Sequence, residues 1–124
     1  MRLHKTCNCF VLSSHGEAWN IPAFEAAALG NPVISSNCGG PKDFCHPNLL
    51  VEGQENVCTD MHSTFPGLNT AKERWFDINI PNLMRLMRHC YETDTSKYVE
   101  WQRKKVTEFS YEQVGDKIRN LLNE

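Results

Sequence analysis

Residues 9–36 most restrict what this chain can fold into: an apolar run, a helix-forming run closed by glycine, then a second apolar run. The first run, residues 9–14, is nearly all apolar and ends in Ser13 and Ser14, whose hydroxyls suit turn and cap chemistry. Such a run fits a strand covered on both faces. Parallel neighbours need a crossover, and the middle run supplies one. Asn20 is suited to cap a helix that starts near Asn20 or Ile21. Pro22 is tolerated in the first turn, where no backbone donor is required. Phe24, Ala27, Ala28 and Ile21 form its expected buried face. Gly30 ends the helix and Pro32 opens the second strand, residues 32–36. Gly39, Gly40 and Pro41 then make a turn that permits close approach by backbone or ligand. A short helical turn at residues 42–45 and a third strand at residues 48–52 follow, stopped by Gly53. The fold class is α/β: a partial Rossmann-like parallel sheet of about three strands, with helices.

The remainder reads more unevenly. Residues 3–8 suit the tail of a helix. Residues 54–78 are the least regular stretch. Their rings, Phe65, Trp75 and Phe76, predict an ordered loop packed by aromatics around Pro66 and Gly67. From Ile80 the period turns helical, with Ile80, Leu83, Leu86, Met87 and Cys90 on one face. Met84 and Tyr91 border that face, and Arg85 and Arg88 point away. Asp94, Thr95 and Ser96 break the run and cap a second helix, whose apolar side is Tyr98, Trp101, Val106 and Phe109. Ser110 precedes a third helix with Val114, Ile118, Leu121 and Leu122 on one stripe. The chain, 1–124, reads as one partial domain whose helical part spans about 79–124.

Composition excludes several classes. A net charge of −2 gives no electrostatic case for nucleic acid. No apolar run approaches the eighteen or so residues of a transmembrane helix, and the first five residues lack a signal peptide's apolar segment. The six cysteines show no Cys-x-x-Cys pair, which favours a reducing compartment and a cytoplasmic location. Cys9 and Cys38 are expected to act as small hydrophobes beside core strands. Cys7 and Cys9 alternate as two residues of one strand face would, and are expected in the core. Neither this pair, with His4, nor Cys45 with His46 has zinc-pair spacing, so no metal is expected.

Two carboxylates sit at the mouth of the β-α-β unit. Glu17 lies in the loop after the first strand and Glu25, after seven intervening residues, lies inside the helix. In parallel α/β sheets, ligands bind beyond the carboxyl ends of the strands. A hydrolase pair would need facing carboxylates roughly 5–9 Å apart, which this spacing does not establish.

The order of strand, Glu17, Glu25 with Ala26, then Gly30 to Ile34 and Gly39–Gly40, resembles the retaining glycosyltransferases of the GT-B class, specifically the GT4-like group. The likeness covers roughly residues 1–52, with a looser likeness in the last thirty around Phe109 to Val114. It lies in the later part of the family's C-terminal, nucleotide-sugar-binding domain. The resemblance implies that a nucleotide-diphosphate-sugar is the donor substrate, with no other cofactor. It places Glu17 beside the transferred sugar as the catalytic carboxylate. Glu25 goes to the ribose hydroxyls, and the amides around Trp19, Asn20 and Ile21 go to the diphosphate. Gly39 and Gly40 become possible loop contacts. Ala18 and Asn20 stand where many relatives carry glycine. Nothing here matches the family's upstream Arg and Lys, and Lys42 and His15 do not occupy those positions. The resemblance also implies a need for an N-terminal acceptor domain or self-association, in a fragment or a reduced protein, and little transfer by the chain alone. The alternative reading is a non-catalytic nucleotide- or partner-binding module derived from such an enzyme.

Overall fold

The computed structural model describes residues 2–58 and 72–123. A 3-10 turn, His4–Thr6, leads into β1 (Phe10–Leu12), α1 (Ile21–Ala28) and β2 (Val33–Ser36). Two further 3-10 turns, Gly40–Asp43 and Pro47–Leu49, precede β3 (Leu50–Val51). A second sheet holds β4 (Gly53–Val57) and β5 (Arg74–Ile78). Three helices follow: α2 (Ile80–Glu92), α3 (Ser96–Thr107) and α4 (Tyr111–Leu122). The first sheet has the order β1-β2-β3 and is parallel throughout, with Phe10 opposite Val33 and Ser35 opposite Leu50. This is the expected α/β core. The strands are shorter than the apolar runs, since β1 stops at Leu12 and β3 pairs only two residues.

Alternation along the strands sorts the core into two layers. Val33, Phe10, Leu12 and Leu50 join Ala23, Ala26 and Ala27 of α1 on one face. Ile34 and Val51 join Leu86 of α2 and Tyr98 of α3 on the other. β2 runs between these layers and all four of its residues are buried. Small side chains bring α1 close to the sheet, but the face differs from the expectation. Ala23 and Ala26 are buried with Ala27, while Ala28 and Ile21 are exposed. The sheet meets the alanine stripe, and Phe24 turns toward an aromatic cluster instead.

α1 ends as its sequence requires. The Asn31 N–H donates to the Ala26 carbonyl at 2.9 Å and the Gly30 N–H to that of Ala27 at 3.1 Å. Gly30 takes the left-handed conformation, φ 93°, that this closure needs.

Several other expectations are corrected. The start of the chain carries a 3-10 turn, and Cys7 is exposed, because the chain reaches strand geometry only at Phe10. Both flanks of residues 54–78 form an antiparallel ladder, with Gly53 opposite Ile78, rather than a loop packed by rings. Polar residues on this ladder hid its alternation. Phe65, Pro66 and Gly67 lie outside the described residues. On α2 the inward face is Asn82, Leu83, Leu86 and Cys90. Ile80, Met84, Met87 and Tyr91 are exposed, because α2 meets the sheet through a narrower stripe than its apolar content suggests. The α4 stripe Val114, Ile118, Leu121 and Leu122 is also exposed.

The short β3 leaves a gap beside Val33. Successive peptides of a strand point to opposite sides, so Val33 presents its N–H and C=O away from β1, ahead of where β3 begins. The fully buried Gln102 of α3 takes both groups: Oε1 accepts from Val33 N–H at 3.3 Å and Nε2 donates to Val33 O at 3.4 Å.

His46 ties the turn before β3 to α3. Its Nδ1 accepts from Asn48 N–H at 3.1 Å, and its ring meets Tyr98 and Trp101 edge-on. Burial, with Lys97 nearby, holds its pKa below the ordinary histidine value. Protonation would remove the acceptor and add a cation beside Lys97. The unfolded chain therefore binds the proton more readily than the folded one. Stability contributed by neutral His46 is complete above about pH 6.5 and falls as the pH drops through the lower folded value. Urea midpoints at pH 7.5 and 5.0 should show a loss in the native chain that is smaller in His46→Asn. An equal loss in both would remove this role.

Candidate functional site at the carboxyl ends of the parallel strands

The loops leaving β1 and β2 meet beyond the strand ends and lock together. Gly40 N–H donates to the Ala18 carbonyl at 3.0 Å. A Cβ on Gly39 would lie 1.6 Å from the Glu17 carbonyl oxygen, and one on Gly40 2.3 Å from that of Ala18. The close approach anticipated at the two glycines is therefore backbone against backbone. Hydroxyl and thiol groups extend the junction. Ser36 Oγ donates to the Ser14 carbonyl at 2.7 Å, and Cys38 Sγ lies 3.9 Å from the same oxygen.

Glu17 is fixed by its own loop. One carboxylate oxygen accepts from Ala18 N–H at 3.1 Å and the other from the Asn20 amide at 2.7 Å. Asn20 is the only non-glycine residue with positive φ (61°) among the described residues. Its other amide atom, Oδ1, accepts from Ala23 N–H at 2.9 Å and caps α1. One asparagine thus holds the carboxylate and starts the helix, in a backbone conformation asparagine tolerates better than most. The backbone N–H groups of Trp19, Asn20 and Ile21 have no acceptor among the described residues.

The Trp19 side chain points into the structure. Its ring packs 4.8 Å from Phe109, 5.3 Å from Phe44 and 5.6 Å from Phe24. This cluster anchors the loop to α1, to the turn after β2 and to the link between α3 and α4. Glu25 lies one turn into α1, half-buried, with Oε2 3.9 Å from His4 Nε2. The two carboxylates therefore have separate partners. Ile21 is exposed at the start of α1.

His15, in the same loop, is held by the second sheet. Its ring stacks on Trp75 at 4.3 Å, its Nδ1 is 3.2 Å from Asp77 Oδ1, and its carbonyl accepts from Phe76 N–H at 2.7 Å. The β4–β5 ladder thus braces the Glu17 loop, a contact between residues sixty positions apart that spacing gave no sign of. Electrostatically, burial pushes the Cys38 thiol up. Lys42 opposes that rise and Glu17 adds to it, which puts both charges within reach of the junction. Ser14 Oγ is buried there without a hydrogen-bond partner. A buried hydroxyl left in that state costs about 1–3 kcal/mol, so a ligand or water oxygen would be favoured beside it.

A cleft of about 650 Å³ lies elsewhere, lined by Asn8, Gly30, Pro32, Ser96 and Arg103. It flanks the residues that enter β1 and β2, so it sits at the opposite end of the strands from Glu17. Among the described residues no cluster of three or more His, Cys, Asp or Glu is placed to hold a metal, and no helix is long and apolar enough to cross a membrane.

The family described as Glycosyl transferases group 1 matches residues 1–56, from the N-terminal turn into β4. That stretch contains the whole parallel sheet, Glu17 and Glu25, and is similar to this glycosyltransferase family. No curated protein and no solved structure matches the chain.

Proposed function

We propose that this chain supplies the donor-binding side of a retaining, GT-B-type glycosyltransferase, and that a nucleotide-diphosphate-sugar binds beyond β1 and β2. The carrying observation is the junction of the Glu17 loop with Gly39–Gly40 at the strand ends, within the stretch that matches the family. Ligands of parallel α/β sheets bind in this position. The free N–H groups at the start of α1 suit the diphosphate, because orphan amides and the helix dipole favour an anion. Glu25 accepts the ribose hydroxyls through charge-assisted hydrogen bonds, and Glu17 faces the sugar, where positive charge develops at the anomeric carbon. The acceptor and the cations that neutralise the diphosphate come from another domain or another copy.

Glu25→Gln keeps the size and removes the charge. Binding of nucleoside diphosphates, titrated calorimetrically, is expected to weaken by about 1–3 kcal/mol with the circular dichroism spectrum unchanged. Equal affinity in both forms would remove Glu25 from the ribose. The exposed apolar stripe of α4 favours a second reading, a binding module that docks on a partner without catalysing transfer. A turnover assay with a panel of nucleotide-sugars, beside the same binding titration, separates the two.

A further inference from the structure

A groove of about 410 Å³ lies between α2 and the outer edge of β3. That volume is within the range of small-molecule sites, roughly 300–1,000 Å³. Helical spacing puts Asn82, Arg85 and His89 on one side of α2, along the groove. Asn82 is only 8% exposed. Its Oδ1 accepts from Glu52 N–H at 3.1 Å, which fixes the orientation of the amide. Its Nδ2 carries two N–H donors and has no acceptor among the described residues. A buried donor in that state is costly, so a ligand oxygen beside it is favoured.

The opposite wall supplies acceptors. The Val51 carbonyl faces β2 and accepts from Asn37 N–H at 3.3 Å. By alternation the carbonyls of Leu50 and Glu52 point away from β2. Asn79 N–H takes that of Glu52 at 2.7 Å, and that of Leu50 is left on the groove. The Glu52 carboxylate and the Arg85 guanidinium also line it. Among the described residues neither side chain has a partner, and the two do not pair with each other. His89 closes one end, with Nε2 2.9 Å from Tyr98 Oη. The groove thus holds a cation with a free amide donor, and an anion with a free carbonyl. Glu52 would repel a simple oxyanion and Arg85 a simple cation, whereas a molecule bearing both charges satisfies every group.

We propose that this groove binds a free α-amino acid as its zwitterion, the carboxylate accepting from Arg85 and Asn82 and the ammonium donating to Glu52 and the Leu50 carbonyl.

The guanidinium fork matches a carboxylate through two parallel charge-assisted bonds, the strongest contact the groove can offer. The groove shares no residue with the Glu17 junction, so its ligand is independent of the nucleotide-sugar.

The test is calorimetric titration of the intact chain with each common α-amino acid at about 10 mM. The expected result is saturable binding of at least one, lost when either charge is capped, in the N-acetyl form or in the amide. Arg85→Ala and Glu52→Gln should each weaken it by about tenfold or more. Arg88→Ala should leave it unchanged, since that guanidinium lies beside Glu92 and does not line the groove. Asn82→Asp keeps the acceptor for Glu52 N–H but sets a carboxylate against the ligand's own, and should abolish binding. Circular dichroism checks the fold of each variant, and where a variant unfolds the capped ligands on the native chain decide. No saturable binding of any amino acid, equal binding of the capped forms, or an affinity unmoved in folded Arg85→Ala and Glu52→Gln would each overturn the proposal.

Discussion

Gly39→Ala is expected to cost at least about 3–5 kcal/mol of folding stability, enough to leave much of the chain unfolded. Two independent causes act at this position. Its backbone, φ 61° and ψ −157°, lies in a region that is essentially restricted to glycine. The added Cβ would also stand 1.6 Å from the Glu17 carbonyl oxygen and 2.8 Å from the Glu17 carbonyl carbon. Both atoms are backbone, so no side chain can rotate away. The loop would have to leave the junction, taking the Glu17 carboxylate and the Asn20 cap with it. Gly40→Ala meets the Ala18 oxygen at 2.3 Å and the Trp19 ring at 2.7 Å, and should follow the same course. Gly16→Ala is the control, since nothing lies within 4 Å of the added methyl. Urea unfolding of the three variants checks this. A Gly39→Ala protein within about 1 kcal/mol of the native chain would show that the loops do not lock.

That junction marks how far the sequence could be read. The strand-helix-strand pattern of residues 9–36 carried the parallel sheet, because apolar runs, a capping asparagine and a closing glycine each have a local cause. The glycine pair read as a place of close approach, but not as the point where Ala18 and Glu17 carbonyls press. That depends on how two loops distant in sequence meet. Asn20 read as a cap, while its second bond, to Glu17, needed the left-handed backbone to be seen. Periodicity served worst where an element is covered on one side only. Met87 and Ile118 lie on apolar stripes yet are exposed: on α2 only Leu83, Leu86 and Cys90 of the stripe reach the core, and the whole α4 stripe stays outside, so the spacing predicted burial that does not occur. The β4–β5 ladder was hidden by polar residues such as Gln54, Glu55 and Asp77, which a solvent-facing two-stranded sheet tolerates. The brace it gives to His15 was hidden with it.

Gln102→Leu should destabilise the fold by about 2–4 kcal/mol, although it adds apolar surface to a fully buried position. The usual expectation is the reverse, since a buried leucine is favoured over a buried amide. The sheet decides the sign. Because β3 pairs only Ser35 and Ser36, the N–H and carbonyl of Val33 have no strand beside them, and Val33 is fully buried. The Gln102 amide exchanges both bonds with that one residue, as a neighbouring strand would. Leucine would strand a donor and an acceptor together, each costing about 1–3 kcal/mol, against a gain of a kcal/mol or two from apolar burial. The two bonds, at 3.3 and 3.4 Å, are longer than the usual 2.9–3.0 Å, which argues for the lower half of the range. Gln102→Glu separates shape from hydrogen bonding. At neutral pH it keeps an acceptor for Val33 N–H but loses the donor to Val33 O and buries a charge, so it should be worse than leucine. As the pH falls and the carboxyl protonates, its O–H regains the missing donor. The unfolded glutamate ionises with a pKa near 4.3 while burial holds the folded one higher, so the penalty should shrink as the pH drops through the raised folded value toward 4.3. Urea midpoints of the native chain and both variants at pH 7.5 and 5.0 test the pair. A Gln102→Leu protein as stable as the native chain would mean that Val33 finds other partners and that α3 is held to the sheet by packing alone.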